Sequence, residues 1–157
     1  MGGYTVKHGD VFESIFRECS HVIIPHVCNN VGAWGKGFTE AIDALYPYAK
    51  YSFLQSSNLI GKGLLGSNIK VPVSKYNAII HMVAQEGLRS PDNPLPLNYI
   101  ALVECMGGVA EIASDMDVSI HCPKFGAGLA GGDWKLIEKM IKDFWVDKGL
   151  DVYVWEY

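Results

Sequence analysis

The histidine at position 26 stands where an apolar strand meets a loop rich in glycine. The apolar run covers 21–28, and the loop NNVGAWGKGF follows it directly. A neutral imidazole can orient water or accept a proton near pH 7, so His26 is the first candidate for catalysis. A histidine whose hydrogen bonds are satisfied within the core is the alternative that the sequence leaves open.

A second glycine-rich loop, KFGAGLAGG at 124–132, follows another apolar strand, and both loops lead into helices. Glycine leaves backbone N–H groups uncovered, and such groups ahead of a helix bind phosphate oxygens. The first loop lacks the Walker spacing, and no G-x-G-x-x-G follows the first strand. Either loop alone can be a simple turn. Two such loops at one sheet edge predict a site for a diphosphate or a phosphorylated nucleotide.

A sheet must position these loops, and the periodicity of apolar residues along the chain predicts one. The predicted strands are 4–8, 21–28, 66–74, 77–85, 117–123 and 151–157. The predicted helices are 9–14, 37–45, 48–57, 98–116 and 133–149. Alternation of the two, with a hairpin-like pair in the middle, predicts a three-layer α/β/α sandwich with a mixed central sheet. Ligands of such sheets bind at the carboxyl ends of the strands.

The composition of the chain argues against several classes of protein. The 157 residues predict a single domain over 1–157, and 49% hydrophobic with 19% charged residues argues against disorder. A net charge of −4 disfavours a nucleic-acid partner. No signal peptide or 18-residue apolar span is present, so we expect no membrane association. Four cysteines without C-x-x-C spacing predict no metal site and reduced thiols in a cytoplasmic compartment: Cys19, Cys28, Cys105 and Cys122.

Three motifs together resemble one known family. GDVF follows the first strand, HVCNNVGAWGKGF contains the first loop, and CPKFGAGLAGGDW contains the second. In this order they resemble the macro domain along essentially the whole chain. The first loop is most similar to the branch of yeast-type ADP-ribose 1″-phosphate phosphatases and terminal ADP-ribose glutamate hydrolases. The resemblance implies binding of ADP-ribose or a derivative without a cofactor, and we expect the protein to be a monomer.

The resemblance also implies ligand contacts. Asp10 would meet the adenine amino group beside the Val11 amide, although Asp10 is also a plausible helix cap. Asn29 would lie near the distal ribose, and an asparagine that ties down its own loop is an equal alternative. The diphosphate would contact the remaining matched positions: Gly35, Lys36, Gly37, Phe38, Gly126, Ala127, Gly128, Leu129 and Ala130.

Two activities are compatible with these positions. One is a phosphatase acting on ADP-ribose 1″-phosphate, with His26, Asn29 and Asp133 as catalytic candidates, although Asp133 is better explained as a helix cap. The other is a binding module without turnover. Removal of ADP-ribose from glutamate is less favoured, because Ala84-Gln85 and Ala130 replace the lysine and the aspartate of the glutamate hydrolases.

Three further positions carry structural expectations. Trp34 within the first loop is expected to plug the space beneath it rather than cover a ligand. His81 lies in mid-strand and is expected to be structural. The proline-bearing loop 86–96 is expected to form a wall of the pocket.

Overall fold

A computed structural model describes residues 1–17, 19–35 and 37–156. Lys36, one of the positions matched to a diphosphate loop, lies outside the described residues. The strands are β1 (Tyr4–His8), β2 (Val22–Asn29), β3 (Asn68–Pro72), β4 (Asn77–Gln85), β5 (Ser119–Cys122) and β6 (Val152–Glu156). The helices are α1 (Phe38–Leu45), α2 (Tyr48–Ile60), α3 (Tyr99–Met116) and α4 (Trp134–Phe144).

The six strands form one sheet in the order β1-β6-β5-β2-β4-β3. Only β3 runs antiparallel to its neighbour, β4, and the other described pairs are parallel. The predicted mixed sheet is therefore confirmed, including the hairpin of β3 and β4. Short 3-10 helices at Val11–Ser14, Gly61–Leu64 and Val146–Lys148 complete the described elements.

Adjacent residues of the central strands pack on opposite faces of the sheet. Ile23 and Ile80 join the core cluster that contains residues of α3 and α4. Ile24 and Ile79 join the cluster that contains Ile42 of α1 and Ala49 of α2. Side chains alternate along a strand, so apolar runs covered on both faces need a helix layer on each side. The predicted three-layer sandwich follows from this pattern.

Helix α4 ends earlier than the sequence predicted. It stops at Phe144, and the segment Val146–Lys148 continues as a separate 3-10 turn. Between them, the fully buried Trp145 donates its indole N–H to the carbonyl of Met106 at 2.9 Å. Docking of this side chain in the core fixes the end of the helix, which periodicity alone does not reveal.

Helix α3 keeps its length in spite of two consecutive glycines. A β-carbon at Gly108 would lie 2.5 Å from the amide nitrogen of Asn68, and that nitrogen donates to the carbonyl of Cys105 at 2.8 Å. The missing side chain at Gly108 therefore lets β3 approach the helix. Among the described residues, we find no helix with the length and apolarity needed to span a membrane.

Candidate ligand-binding site

A pocket opens where β2 and β5 diverge. The two strands pair only at Val22 and Ile23 of β2, and beyond that point the sheet is no longer bridged between them. The chain leaves these neighbouring strands in opposite directions. The gap between the carboxyl ends of two such strands is the usual place for a ligand in an open α/β sheet. The pocket measures about 500 Å³, and both glycine-rich loops line it.

Helix α1 points an uncapped amino end at this pocket. Its N-cap is Gly37, at φ 87°, and no side chain bonds to the first free N–H groups. The first two helical residues, Phe38 and Thr39, line the pocket. By contrast, Asn98 caps α3 and Asp133 caps α4 through side-chain oxygens. The free amides and the helix dipole make the start of α1 suitable for an anion.

The second loop adds further free amides. Within the described part of the chain, the N–H groups of Ala127, Gly128, Leu129 and Ala130 donate to no protein acceptor. At Gly128 a β-carbon would have no heavy atom within 4 Å, although the residue lines the pocket. The backbone here is therefore bare toward the pocket. Such a row of amides forms an anion-binding concavity.

Asn29 organises the first loop. Its side-chain oxygen accepts the N–H groups of Val31 and Ala33, each at 3.0 Å, and its amide donates to the carbonyl of Ala33 at 2.7 Å. The side chain is buried and lines the pocket. The structure thus shows the alternative considered for Asn29, in which its side chain bonds to the backbone of its own loop. Contact of Asn29 with a ribose stays a prediction.

His26 also lines the pocket, and it bonds to a second histidine. Its Nε2 lies 2.6 Å from Nδ1 of His81, and Nε2 of His81 lies 3.0 Å from the carbonyl oxygen of Ala49. His26 is 2% exposed. The buried and hydrogen-bonded position of His81 agrees with the structural role expected for it, whereas its contact with the best catalytic candidate was not predicted.

Burial keeps both rings neutral. Desolvation, followed by the charge of His81, lowers the pKa of His26 well below its usual value. Desolvation lowers the pKa of His81 to about 4, against a smaller opposing effect of the hydrogen bond to Ala49. Below neutrality, His26 therefore retains an unprotonated ring nitrogen that can accept a proton.

Trp34 fills the space beneath the first loop, as expected for a plug. Its indole N–H donates to both carboxylate oxygens of Asp43 at 3.0 Å. The ring packs edge-on against His26 and His81, with centroid distances of 6.3 and 5.3 Å, and lies 5.6 Å from the ring of Phe53. The indole thus supports the histidine pair and also lines the pocket.

The side chains of His26, Cys28 and His81 are close enough to suggest a metal site. However, the two facing ring nitrogens lie 2.6 Å apart, whereas two nitrogen ligands of a tetrahedral zinc ion lie about 3.3 Å apart. Burial also raises the pKa of the Cys28 thiol, which disfavours the thiolate that a metal requires. The geometry of the two rings fits a shared proton and not a shared metal ion.

Of the predicted site residues that the structure describes, four do not line this pocket: Asp10, Val11, Ala127 and Asp133. Asp10 caps the 3-10 helix at Val11–Ser14 through Phe12, and Asp133 caps α4 through Lys135. Each carboxylate uses only Oδ1 for its cap. Their predicted ligand and catalytic roles stay predictions.

The structure brings other residues to the pocket that the sequence did not single out. Lys124 lines it and forms an ion pair with Glu156 at 2.5 Å. Leu88 lines it from the loop 86–96, in agreement with the wall predicted there. The available signal for Lys124 was its place as the first residue of the second loop. The pairing register that places His81 beside His26 was not readable from the sequence.

Several known proteins resemble this chain in sequence and in fold. No protein-family model matches the chain. The ADP-ribose 1″-phosphate phosphatase of Candida albicans is 23% identical over 141 residues, covering 87% of this chain and 90% of that protein. A protein of unknown function from Bacteroides thetaiotaomicron is 28% identical over 99% of both chains, with a TM-score of 0.90.

A macrodomain protein from Streptomyces coelicolor shares the fold and more of the sequence than the yeast phosphatase. It is 29% identical, covers 98% of this chain and 99% of its own, and has a TM-score of 0.82. The mixed six-stranded sheet with its four α-helices agrees with this likeness. The chain therefore has the fold of a macrodomain.

Proposed function

We propose that this macrodomain binds ADP-ribose derivatives and hydrolyses ADP-ribose 1″-phosphate to ADP-ribose and phosphate. The observation that carries the proposal is that the free amides of α1, the free amides of the second loop and the ring of His26 all border one pocket. Anion-binding amides beside a neutral base provide the two functions that hydrolysis of a phosphate ester requires. The relatives named as phosphatases of this substrate support the same activity.

The ligand would lie across the ends of β2 and β5. Amides of α1 and of the second loop would hold the diphosphate. Asp10, whose Oδ2 is not used in its helix cap, would accept the adenine amino group, with the Val11 amide beside it. The pocket volume of about 500 Å³ falls within the range of small-molecule sites.

The reaction places His26 at the distal ribose. A water oxygen would form a bond to phosphorus while the bond between phosphorus and the ribose 1″ oxygen breaks. The water proton would pass to His26 and from there to the departing ribose oxygen. The backbone amides would stabilise the charge on the phosphoryl oxygens. The matched carboxylate Asp133 would face the terminal phosphate through the oxygen that its helix cap leaves free.

Hydrolysis of an ADP-ribosyl glutamate fits the site less well. Ala84-Gln85 and Ala130 occupy the positions that correspond to the lysine and the aspartate of the glutamate hydrolases. Gln85 and Ala130 line the pocket, so the substitutions fall on the site itself. An amide and a methyl group offer no amine for an adduct and no carboxylate to assist one.

A binding module without turnover is the second candidate. It is favoured by two observations: His26 is 2% exposed, and the polar atoms of Asn29 already bond within the loop. Such a module would hold ADP-ribose on the same amides. It would release no phosphate from the phosphorylated derivative.

One experiment separates the two candidates. Purified protein is incubated with ADP-ribose 1″-phosphate, and free phosphate is measured for wild type, His26→Ala and His121→Asn. His121 is another buried histidine, and asparagine keeps an acceptor for the indole N–H of Trp155. We expect release by wild type and by the His121 variant only. Equal release by His26→Ala contradicts the phosphatase, and calorimetric binding of ADP-ribose without release identifies the module.

A further inference from the structure

His81 lies directly opposite His26 in the parallel ladder of β2 and β4. Each strand is otherwise apolar over this stretch, so the two polar rings have only a few polar neighbours in the core. One is the carbonyl of Ala49 in the first turn of α2, which lies 3.0 Å from Nε2 of His81. A continuous chain of bonds therefore runs from Ala49 through His81 to His26.

The hydrogen bonds in this chain can be donated in only one direction, from His26 to His81 and from His81 to Ala49. A carbonyl oxygen only accepts, so Nε2 of His81 carries the hydrogen. A neutral imidazole has one N–H, and therefore Nδ1 of His81 accepts. The hydrogen between the two rings then belongs to Nε2 of His26. The remaining nitrogen of His26, Nδ1, is left unprotonated.

We propose that His81 is a positioning residue that fixes the tautomer and orientation of His26, so that Nδ1 is the nitrogen that accepts the proton during hydrolysis. This role rests on the proposed phosphatase function. The proton-accepting atom is then Nδ1 of His26. The residue that selects this atom is His81, which does not border the pocket. The carbonyl of Ala49 orients the ring of His81, and His81 in turn orients the ring of His26. Hydrogen bonds to one ring nitrogen commonly fix the tautomer of a histidine in this way.

The neighbours of the pair are compatible with this arrangement. The titratable groups that face His26 are His81 on β4 and Cys28 on its own strand, whose sulfur lies 3.9 Å from Nδ1 and 3.8 Å from Nε2. A protonated thiol is a weak donor and leaves the Nδ1 lone pair accessible to a stronger one. Trp34 and Phe53 meet the ring of His81 edge-on and hold its plane.

The test compares His81→Phe with His81→Asn. Phenylalanine keeps a ring of similar size and removes the acceptor, whereas the Asn oxygen can occupy the place of Nδ1. In ¹⁵N-labelled protein, long-range proton–nitrogen correlation spectra report which nitrogen of His26 carries hydrogen. We expect Nε2–H in wild type and in His81→Asn, and a mixture of tautomers in His81→Phe. An unchanged single tautomer in His81→Phe overturns the proposal.

Kinetics provide the second readout. In His81→Phe we expect kcat for phosphate release to fall at least about 10-fold, in line with the worth of a general base, and KM to change less than about twofold. His81→Asn should recover most of kcat. A changed tautomer with an unchanged kcat overturns the positioning role. If wild type releases no phosphate, the proposed function fails on its own, and the tautomer spectra still decide whether His81 orients His26.

Discussion

The indole N–H of Trp34 is shared between the two carboxylate oxygens of Asp43, at 3.0 Å from each. This bond ties the first glycine-rich loop to helix α1, on which Asp43 lies. It also fixes the ring that packs against both His26 and His81. An acidic side chain on the helix therefore supports the histidine pair without touching it.

Replacing Asp43 with alanine should loosen this support. The indole N–H loses its charged acceptor, and we expect the free energy of unfolding to fall by about 1 to 2 kcal/mol. Urea denaturation measures the change. Asp143→Ala is the control, because Asp143 pairs only with exposed Lys139 on α4 and should change stability by less than about 0.5 kcal/mol. Equal effects of the two substitutions would show that the Trp34 bond has no special weight.

Two glycines of the second loop should respond differently to alanine. At Gly128 the new methyl group would meet no protein atom within 4 Å, and the residue lines the pocket. We therefore expect the stability of Gly128→Ala to be unchanged. Its affinity for ADP-ribose should fall at least about 10-fold. At Gly132 the methyl group would lie 2.6 Å from the carbonyl oxygen of Gly126. That variant should unfold at lower temperature. Titration calorimetry measures the binding of ADP-ribose by the two variants, and scanning calorimetry measures their unfolding. A stable Gly128→Ala with wild-type affinity would contradict binding of the diphosphate by the amides of the second loop.

The sequence predicted the framework of the site better than its details. Both glycine loops and the position of His26 followed from local patterns, because strand ends and helix starts are marked by nearby residues. The His26–His81 bond depends on the register between β2 and β4, which are separated by two helices and β3. The early end of α4 depends on where Trp145 docks. Long-range contacts of this kind leave no periodic signal in the sequence.

Acid should destabilise the protein through its buried histidines. The folded-state pKa of His81 and that of His121 are each lowered to about 4 by burial, below the value of about 6.5 in the unfolded chain. Between these values the unfolded state binds more protons, so stability is complete above pH 6.5 and falls as the pH decreases toward 4. Each group contributes a slope of about 1.4 kcal/mol per pH unit.

The His81→Phe variant tests that assignment. It has one fewer buried histidine, so the free energy of unfolding between pH 6.5 and 4.5 should depend less steeply on pH, by about 1.4 kcal/mol per unit. Urea titrations at several pH values provide the slope. A slope equal to that of wild type would mean that His81 is already protonated in the folded state.

The rate of phosphate release should be insensitive to mild acid. His26 acts in its neutral form, and burial with the nearby His81 holds its pKa well below the usual value of 6.5. The protonated, inactive form therefore becomes abundant only at a lower pH than for an exposed histidine. We expect kcat/KM to stay level from pH 7.5 to about 6. A decline centred at 6.5 would identify a solvated base in place of His26.

Asn29 and Asn30 form a natural pair for testing the first loop, because both are buried and both bond to loop backbone. Asn29 holds Val31 and Ala33 beside the pocket, whereas Asn30 accepts the N–H of Gly87 and does not line it. Alanine at either position removes an acceptor from backbone N–H groups and should cost about 1 to 3 kcal/mol of stability.

Ligand affinity should distinguish the two asparagine variants. Asn29→Ala releases the segment that leads to the free amides of α1, so ADP-ribose should bind at least about 10-fold more weakly. Asn30→Ala should bind within about twofold of wild type, because the segment that it holds brings the side chain of Leu88 to the pocket and not the amides that would hold the diphosphate. Isothermal titration at a temperature where both variants remain folded makes the comparison. Equal losses would mean that general loosening, and not the Asn29 loop bonds, controls the pocket.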